Sequence, residues 1–324
     1  MTTKELGNLG EDLACEYFVE KQFATMSINC IEPNNKKYPK TLKEALRKLV
    51  LSLGPKKLYY KGNWPALSCA EGDDIFENCL AVVGSRHLTS YGRKATEQLV
   101  TEIASAGITI VSGFMYGGDE AAHSATVKCG GKTIAVMPCG IDLIFPPNQK
   151  DLYNKILENN GLIISEYEQG FKPVNYSFVQ RDRIVAGLSK AVLVTEAALE
   201  SGSLITAGYA KKYGRKIFAL PGQITSEVSK GTFKLIKEGA EPVADAKDIL
   251  DFFGILPKAK KQDKKFVTGN TLEDKIIEHL KNESMEADEM ARVLALPVSQ
   301  IGTTLSLMQL KGFISQEGRK YYLN

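Results

Sequence analysis

No glycine fingerprint of the form G-x-G-x-x-G follows any apolar run in the 324 residues, and no G-x-x-x-x-G-K-[ST] occurs. Dinucleotide binding and ATP hydrolysis through a phosphate loop therefore lose their usual sequence support. The six cysteines, at 15, 30, 69, 79, 129 and 139, form no C-x-x-C pair and do not cluster with the three histidines. That argues against a zinc centre, so no metal and no cofactor is expected. It also suits a reducing compartment, where buried thiols act as small hydrophobes. No apolar run approaches the roughly 20 residues that a membrane helix needs. The opening "MTTKELGNLGEDLACEYF" is acidic and polar rather than signal-like, so a cytoplasmic protein away from membranes is expected. Charge of one sign is scarce as well. A formal net charge of +3 leaves any affinity for nucleic acid to a local patch.

What is present is ordinary globular material: 44% hydrophobic and 24% charged residues, over a length that allows a large core and a satellite domain. Four regions stand out. Residues 1–36 carry an amphipathic helical pattern (Leu9, Leu13, Tyr17) that ends in the turn-rich "EPNNKK". Residues 37–257 form the main block. A lysine-dense linker spans 258–270, within and beyond "PKAKKQDKKF", and residues 271–324 make a terminal module.

In the main block, "CLAVVGS", "ITIVSG", "KTIAVMPCG", "GLIISE", "KAVLVTEA" and "RKIFALPG" are short, continuous apolar runs, each followed by helical character. In "TSYGRKATEQLVTEIASAG", Ala95, Leu99, Ile103 and Ala106 share one helical face. Strands buried on both sides read this way, so the expectation is an α/β fold with a doubly wound, mostly parallel sheet. "PKKLYYKGNW" is expected to add a strand at the edge.

Ligands of such sheets bind beyond the carboxyl ends of the strands. There the sequence places Gly84-Ser85-Arg86, where glycine admits a close approach, a following helix offers amides and Arg86 adds a guanidinium. This combination suits a phosphate; the alternative is a tight turn with Arg86 paired to a nearby acid. Arg181 and Arg183 bracket Asp182 in "FVQRDRIVAGLS". If that stretch is extended, both arginines face one side and can hold consecutive phosphates near Ser201 and Ser203, with Phe178 and Tyr176 suited to base stacking. If it is helical, the two diverge. The alternative here is an internal Arg–Asp–Arg ion network. His123 on an apolar helix face reads as a packed core residue, and Glu196 and Glu200 as local caps, so no catalytic residue is assigned.

These motifs, in this order, resemble the DNA-processing protein A (Smf) family. "VVGSRHLTSYG", "SGFMYGGDEAAH", "GGKTIAVMPCGIDLIFPPN", "FVQRDRIVAGLS", "VLVTEAALESGSLITA" and "GRKIFALPG" carry the resemblance, which runs from about Tyr38 to Gly254. It implies an extended Rossmann-like fold that binds and protects incoming single-stranded DNA in natural transformation, helps load a RecA-type recombinase, acts as a homodimer and is no enzyme. Carried over position by position, the groove falls on Gly84, Ser85 and Arg86, and the R-N-R signature on Arg181, Asp182 and Arg183. Lys172, Phe178, Ser201 and Ser203 complete the expected phosphate-binding set. The chain departs from the family at Asp182, where asparagine is usual. It departs also at Tyr116, where many members have a basic or small residue, at Gly118 for isoleucine, and at Phe233 for the asparagine of G-T-N.

The terminal module reads as a winged helix. Leu272, Ile276 and Leu280 mark a first helix, "EADEMARVLAL" a second, and "PVSQIGTTLSLMQLKG" a third with Ile301, Leu305 and Met308 inward; a hairpin turns near Gly318. Ser299, Gln300, Thr303 and Thr304 are expected on the exposed face of a third helix that is nearly uncharged, which favours protein contact at least as much as duplex reading. "LGNLGEDLACEYFVEKQF" is similar to the first helix of a restriction-endonuclease-like family, yet too short to imply a nuclease, and a docking helix is expected there. Two rival functions stay open: a nucleoside-monophosphate phosphoribohydrolase-like enzyme, tested through Glu196, and a duplex-binding regulator acting through the winged helix.

Overall fold

The computed structural model describes residues 29–47, 55–62, 64, 74–256 and 271–323. The expected amphipathic helix before residue 29 and the lysine-dense linker lie outside these residues. The chain divides into two compact units, residues 1–258 and 259–324.

The larger unit is built, in chain order, from β1 (Asn29–Ile31), α1 (Lys40–Arg47), β2 (Leu58–Gly62), β3 (Cys79–Val83), α2 (Ser90–Ser105), β4 (Thr109–Ser112), α3 (Gly118–Lys128), β5 (Thr133–Val136), α4 (Lys150–Glu158), β6 (Leu162–Ser165), α5 (Asn175–Leu188), β7 (Ala191–Val194), α6 (Ser203–Tyr213), β8 (Lys216–Ala219), α7 (Lys230–Lys237), β9 (Glu241–Pro242) and α8 (Ala246–Phe253). The nine strands form one sheet in the order β1-β2-β6-β5-β4-β3-β7-β8-β9. The run from β6 to β9 is parallel; β2 joins β6, and β1 joins β2, antiparallel. All six expected core strands are present. The outer edge differs from expectation: β1 lies outside β2, so residues 29–31 belong to the sheet rather than to a helical segment ahead of residue 37.

The apolar runs are continuous because each strand is covered on both faces. In β3, Ala81 and Val83 pack with Leu42 of α1, Ile184 and Val185 of α5 and Ala207 of α6. Leu80 and Val82 point the other way, onto Leu99 and Ile103 of α2 and Ile249 of α8. Period-two alternation is present in space and invisible in hydropathy, since neither face meets water. Ala135 and Ile163 continue the second layer over Tyr153 and Ile156 near α4.

From β3 the chain winds outward through β4 and β5 to β6; from β7 it winds the opposite way to β8 and β9. Strands β3 and β7 are paired neighbours, Val83 opposite Val194. A crevice must open above that pair, where successive connections leave in opposite directions.

Helix α5 settles the geometry of the two arginines. Ser177, Arg181, Ile184, Val185 and Leu188 are buried at helical spacing, one stripe of α5. Two members of the stripe are polar, which hides the 3.6-residue period. The stretch is therefore helical, and the same-side pair expected of an extended chain does not form.

The smaller unit contains α9 (Thr271–Asn282), β10 (Met285–Glu286), α10 (Ala287–Leu294), α11 (Val298–Leu310), β11 (Ile314–Glu317) and β12 (Lys320–Leu323), with a three-stranded sheet β10-β12-β11. Ile276, Leu280, Ile301, Leu305 and Met308 form its core, as the spacing predicts. Thr304 is a correction: it is buried on the core side of α11, its hydroxyl donating to Gln300 O at 2.9 Å. Gly318 takes a positive φ of 63° at the hairpin turn. Among the described residues no single helix is long and apolar enough to cross a membrane.

Candidate functional site

A cavity of about 470 Å³ lies at the switch point, its wall including Gly84, Ser85, Arg86, Phe178, Arg181, Ser201 and Ser203. Lys172 and Arg183 do not line it. Seven of the nine sequence-expected binding residues are thus brought together, and their roles within the cavity differ sharply.

The loop after β3 is held from several sides. Ser85 N–H donates to Glu196 O at 2.7 Å, its hydroxyl donates to His87 O at 3.1 Å, and Gly118 N–H donates to Ser85 O at 3.0 Å. A methyl group on Gly84 would stand 2.5 Å from Thr195 Oγ1, so only glycine lets β3 and β7 continue side by side here. The Ser85 amide already has an acceptor, and the nearby helix N-terminus is occupied as well. Thr89 caps α2 by accepting from Gly92 N–H, while its own N–H and hydroxyl donate to the carboxylate of Glu196 at 2.9 and 2.6 Å. Glu196, only 2% exposed, is the anion of that helix end. The expected phosphate seat on the amides following β3 is therefore filled from within the chain.

Arg86 is the exposed cation. Its guanidinium rests over the ring of Phe178, 5.4 Å from the centroid, and Phe178 meets Phe145 edge-on at 5.7 Å. Among the described residues Arg86 makes no ion pair with an acid. Phe178 serves here as a shelf for the guanidinium, with one ring face engaged by the cation.

Across the cavity lies the N-terminus of a second helix. Helix α6 begins at Ser203 and carries no acid in its first turn; its leading amides are bonded within the chain, Ser203 N–H donating to Ser201 Oγ at 3.4 Å, Leu204 N–H to Ser201 O at 3.0 Å and Ile205 N–H to Gly202 O at 2.9 Å. Gly202, Ser201 and Ser203 line the cavity, the two serine hydroxyls 2.7 Å apart. The positive end of an 11-residue helix thus faces the mouth that Arg86 guards. The helix dipole that faces the cavity without an acid in its first turn follows β7, and only the small residues of "SGS" signal it.

Arg181 forms the floor. At 5% exposure it donates to the carbonyl oxygens of Gly113 and Val136, the latter at 2.6 Å, and through Nε to Asp182 at 2.8 Å. Asp119 lies 3.9 Å from its Nη2. A methyl on Gly113 would overlap the guanidinium, so glycine there is a fitting for Arg181. Burial raises the carboxyl of Asp182 to about 6, with the charge on Arg181 opposing; burial likewise raises Asp119. Arg183, two positions on and some 200° round the helix, is 3% exposed and meets Glu166 at 2.5 Å. Both arginines are paired internally, but not through one Arg–Asp–Arg network: Asp182 pairs with Arg181, and Arg183 pairs with Glu166. Lys172 is exposed on the loop between β6 and α5.

His123 is a core residue: Nδ1 lies 2.8 Å from Thr133 Oγ1, and burial followed by the charge of Arg181 lowers its pKa to about 3. Among the described residues no group of His, Cys, Asp or Glu is placed to hold a metal ion.

An open Rossmann-like sheet with a crevice at its switch point, lined by Arg86 and Arg181 and by Asp119, Asp182 and Glu200, followed by a winged helix, defines a two-domain α/β protein. Comparison with known proteins narrows this. Residues 29–254 match the family model described as DNA recombination-mediator protein A, and residues 264–318 match the DprA winged helix domain. The chain belongs to the DNA recombination-mediator protein A family. It is 33% identical to Protein Smf of Synechocystis over 90% of this chain and 79% of that protein. It is 41% identical to DNA processing protein DprA of Streptococcus pneumoniae over 61% and 67%. The X-ray structure of DNA processing protein A from S. pneumoniae superposes with a TM-score of 0.61 at 35% identity, covering 74% of this chain and 77% of that one. The structure of DNA processing protein A from Helicobacter pylori, described for its unique single-stranded DNA binding mode, gives 0.59 at 32% identity over 70% and 96%.

Proposed function

We propose that this protein binds single-stranded DNA by its backbone at the switch-point cavity, as a DNA-processing protein of natural transformation rather than an enzyme. The observation that carries the reading is Arg86, an exposed guanidinium that forms no ion pair among the described residues and is held on an aromatic shelf, facing the N-terminal end of α6 across the cavity. A phosphate between them meets a cation on one side and the positive helix end with two hydroxyls on the other. Contacts of this kind ignore base identity, so affinity should be sequence-independent and fall steeply with salt. Anisotropy of a labelled oligothymidylate over a salt series tests it; salt-insensitive or absent binding counts against it.

Two rival readings have less support. A phosphoribohydrolase needs a free carboxylate at Glu196, which caps α2 instead. Duplex reading through the winged helix needs cations on α11, whose sequence VSQIGTTLSLMQL has none.

The family resemblance extends the proposal to a cytoplasmic homodimer that hands its strand to a RecA-type recombinase. Added to recombinase on strands pre-coated with single-strand-binding protein, the chain should shorten the lag of filament formation. An unchanged lag would remove the loading role and leave DNA binding intact.

A further inference from the structure

Two tyrosines stand on either side of the Arg86 loop with their rings in solvent and their hydroxyls tied down. Tyr116, 40% exposed, lies in the turn between β4 and α3 and donates to Asn148 Oδ1 at 2.9 Å, in the loop after β5. Two residues on, Gly118 bonds the backbone of Ser85, which fixes that turn against the Arg86 loop. Tyr91, 45% exposed, lies in the first turn of α2 and donates to Pro221 O at 2.6 Å, beyond the end of β8. In the sheet order β5-β4-β3-β7-β8, the loop bearing Arg86 sits between them.

We infer that Tyr116 and Tyr91 are nucleobase-stacking positions flanking the phosphate site, so that the strand crosses the carboxyl edge of the sheet perpendicular to β3. The inference rests on the reading of the cavity as a phosphate site. A tyrosine whose hydroxyl is satisfied within the protein presents an aromatic surface with few rotamers left to lose, the form in which stacking costs least order. Every base has a π face, so such platforms add affinity without sequence preference. Strands spaced by about 4.8 Å put the ends of β5 and β8 about 19 Å apart. That span matches a short site of about four nucleotides, at the low end for single-strand modules. Because Phe178 already carries Arg86, the base-stacking task falls to rings elsewhere, and these two are positioned for it.

The experiment compares a labelled oligothymidylate with an abasic oligomer of equal length, using the full chain. Tyr116→Leu and Tyr91→Leu should each weaken thymidylate binding about tenfold while leaving the abasic strand within about twofold. Tyr116→Phe, which keeps the ring, should retain most of the thymidylate affinity, and unchanged melting temperatures should confirm that all three variants fold. Unchanged thymidylate affinity in either leucine variant, or an equal loss on the abasic strand, overturns the inference. Arg86→Ala should weaken both oligomers alike. If it weakens neither while the leucine variants still discriminate, the phosphate reading fails and the stacking positions stand.

Discussion

Arg86 and Arg181 line one cavity, and they do opposite things. Arg181 is surrounded by its counterparts: two carbonyl oxygens, Asp182 beside it and Asp119 within 4 Å of it. Arg86 has an aromatic ring and solvent, and its charge is the smallest of the influences on Asp119. A guanidinium acts on a ligand only to the extent that the chain leaves it unmatched, and burial with acids converts the same group into a fastener. A cation at a strand end is therefore not a binding residue by position alone; its internal partners decide.

The contrast should be widest in stability. Arg181→Met should cost about 3–5 kcal/mol in urea unfolding, because Asp119 and Asp182 lose the buried charge that compensates them. Arg86→Met, on the exposed ring shelf, should change stability by about 0.5 kcal/mol or less. Equal losses in the two variants would erase the distinction.

A smaller effect comes through pH. Asp182 has a folded-state pKa of about 6, above the ordinary carboxylate value, with burial the main cause. The folded state therefore holds this proton more tightly than the unfolded chain does. The resulting stability is complete below about pH 4 and is lost as pH rises through about 6, a difference on the order of 2 to 3 kcal/mol. Asp182→Asn should flatten that part of the stability–pH curve. It should also raise affinity for single-stranded DNA several-fold at pH 8, where it removes a negative charge from the cavity floor, and much less at pH 5.5. An identical affinity ratio at both pH values would contradict the assignment.

The strands and the switch point were legible in the sequence because short, continuous Val-Ile-Leu runs bounded by glycine form buried parallel strands and little else. "CLAVV" and "KAVLV" also end where the cavity opens. Gly84, Ser85 and Arg86 were legible for the same reason. The partners of the arginines were not. Arg181 and Glu196 are separated from Gly113, Val136 and Thr89 by long stretches of chain, and no local pattern reports which amides and charges meet in three dimensions. The helical nature of α5 was masked by Ser177 and Arg181 occupying its buried stripe. The helix end at Ser203 that faces the cavity was signalled only by small residues, which mark turns far more often than anion sites.

Arg86, and not Arg181 or Arg183, is proposed to supply the cavity's phosphate-binding charge. The direct measurement is the slope of log affinity for oligothymidylate against log salt in wild type and in Arg86→Ala. The variant should lose about 1.5–3 kcal/mol in affinity and show a slope smaller by roughly one, with an unchanged melting temperature. An unaltered slope and affinity in that variant would contradict the assignment of the charge to Arg86.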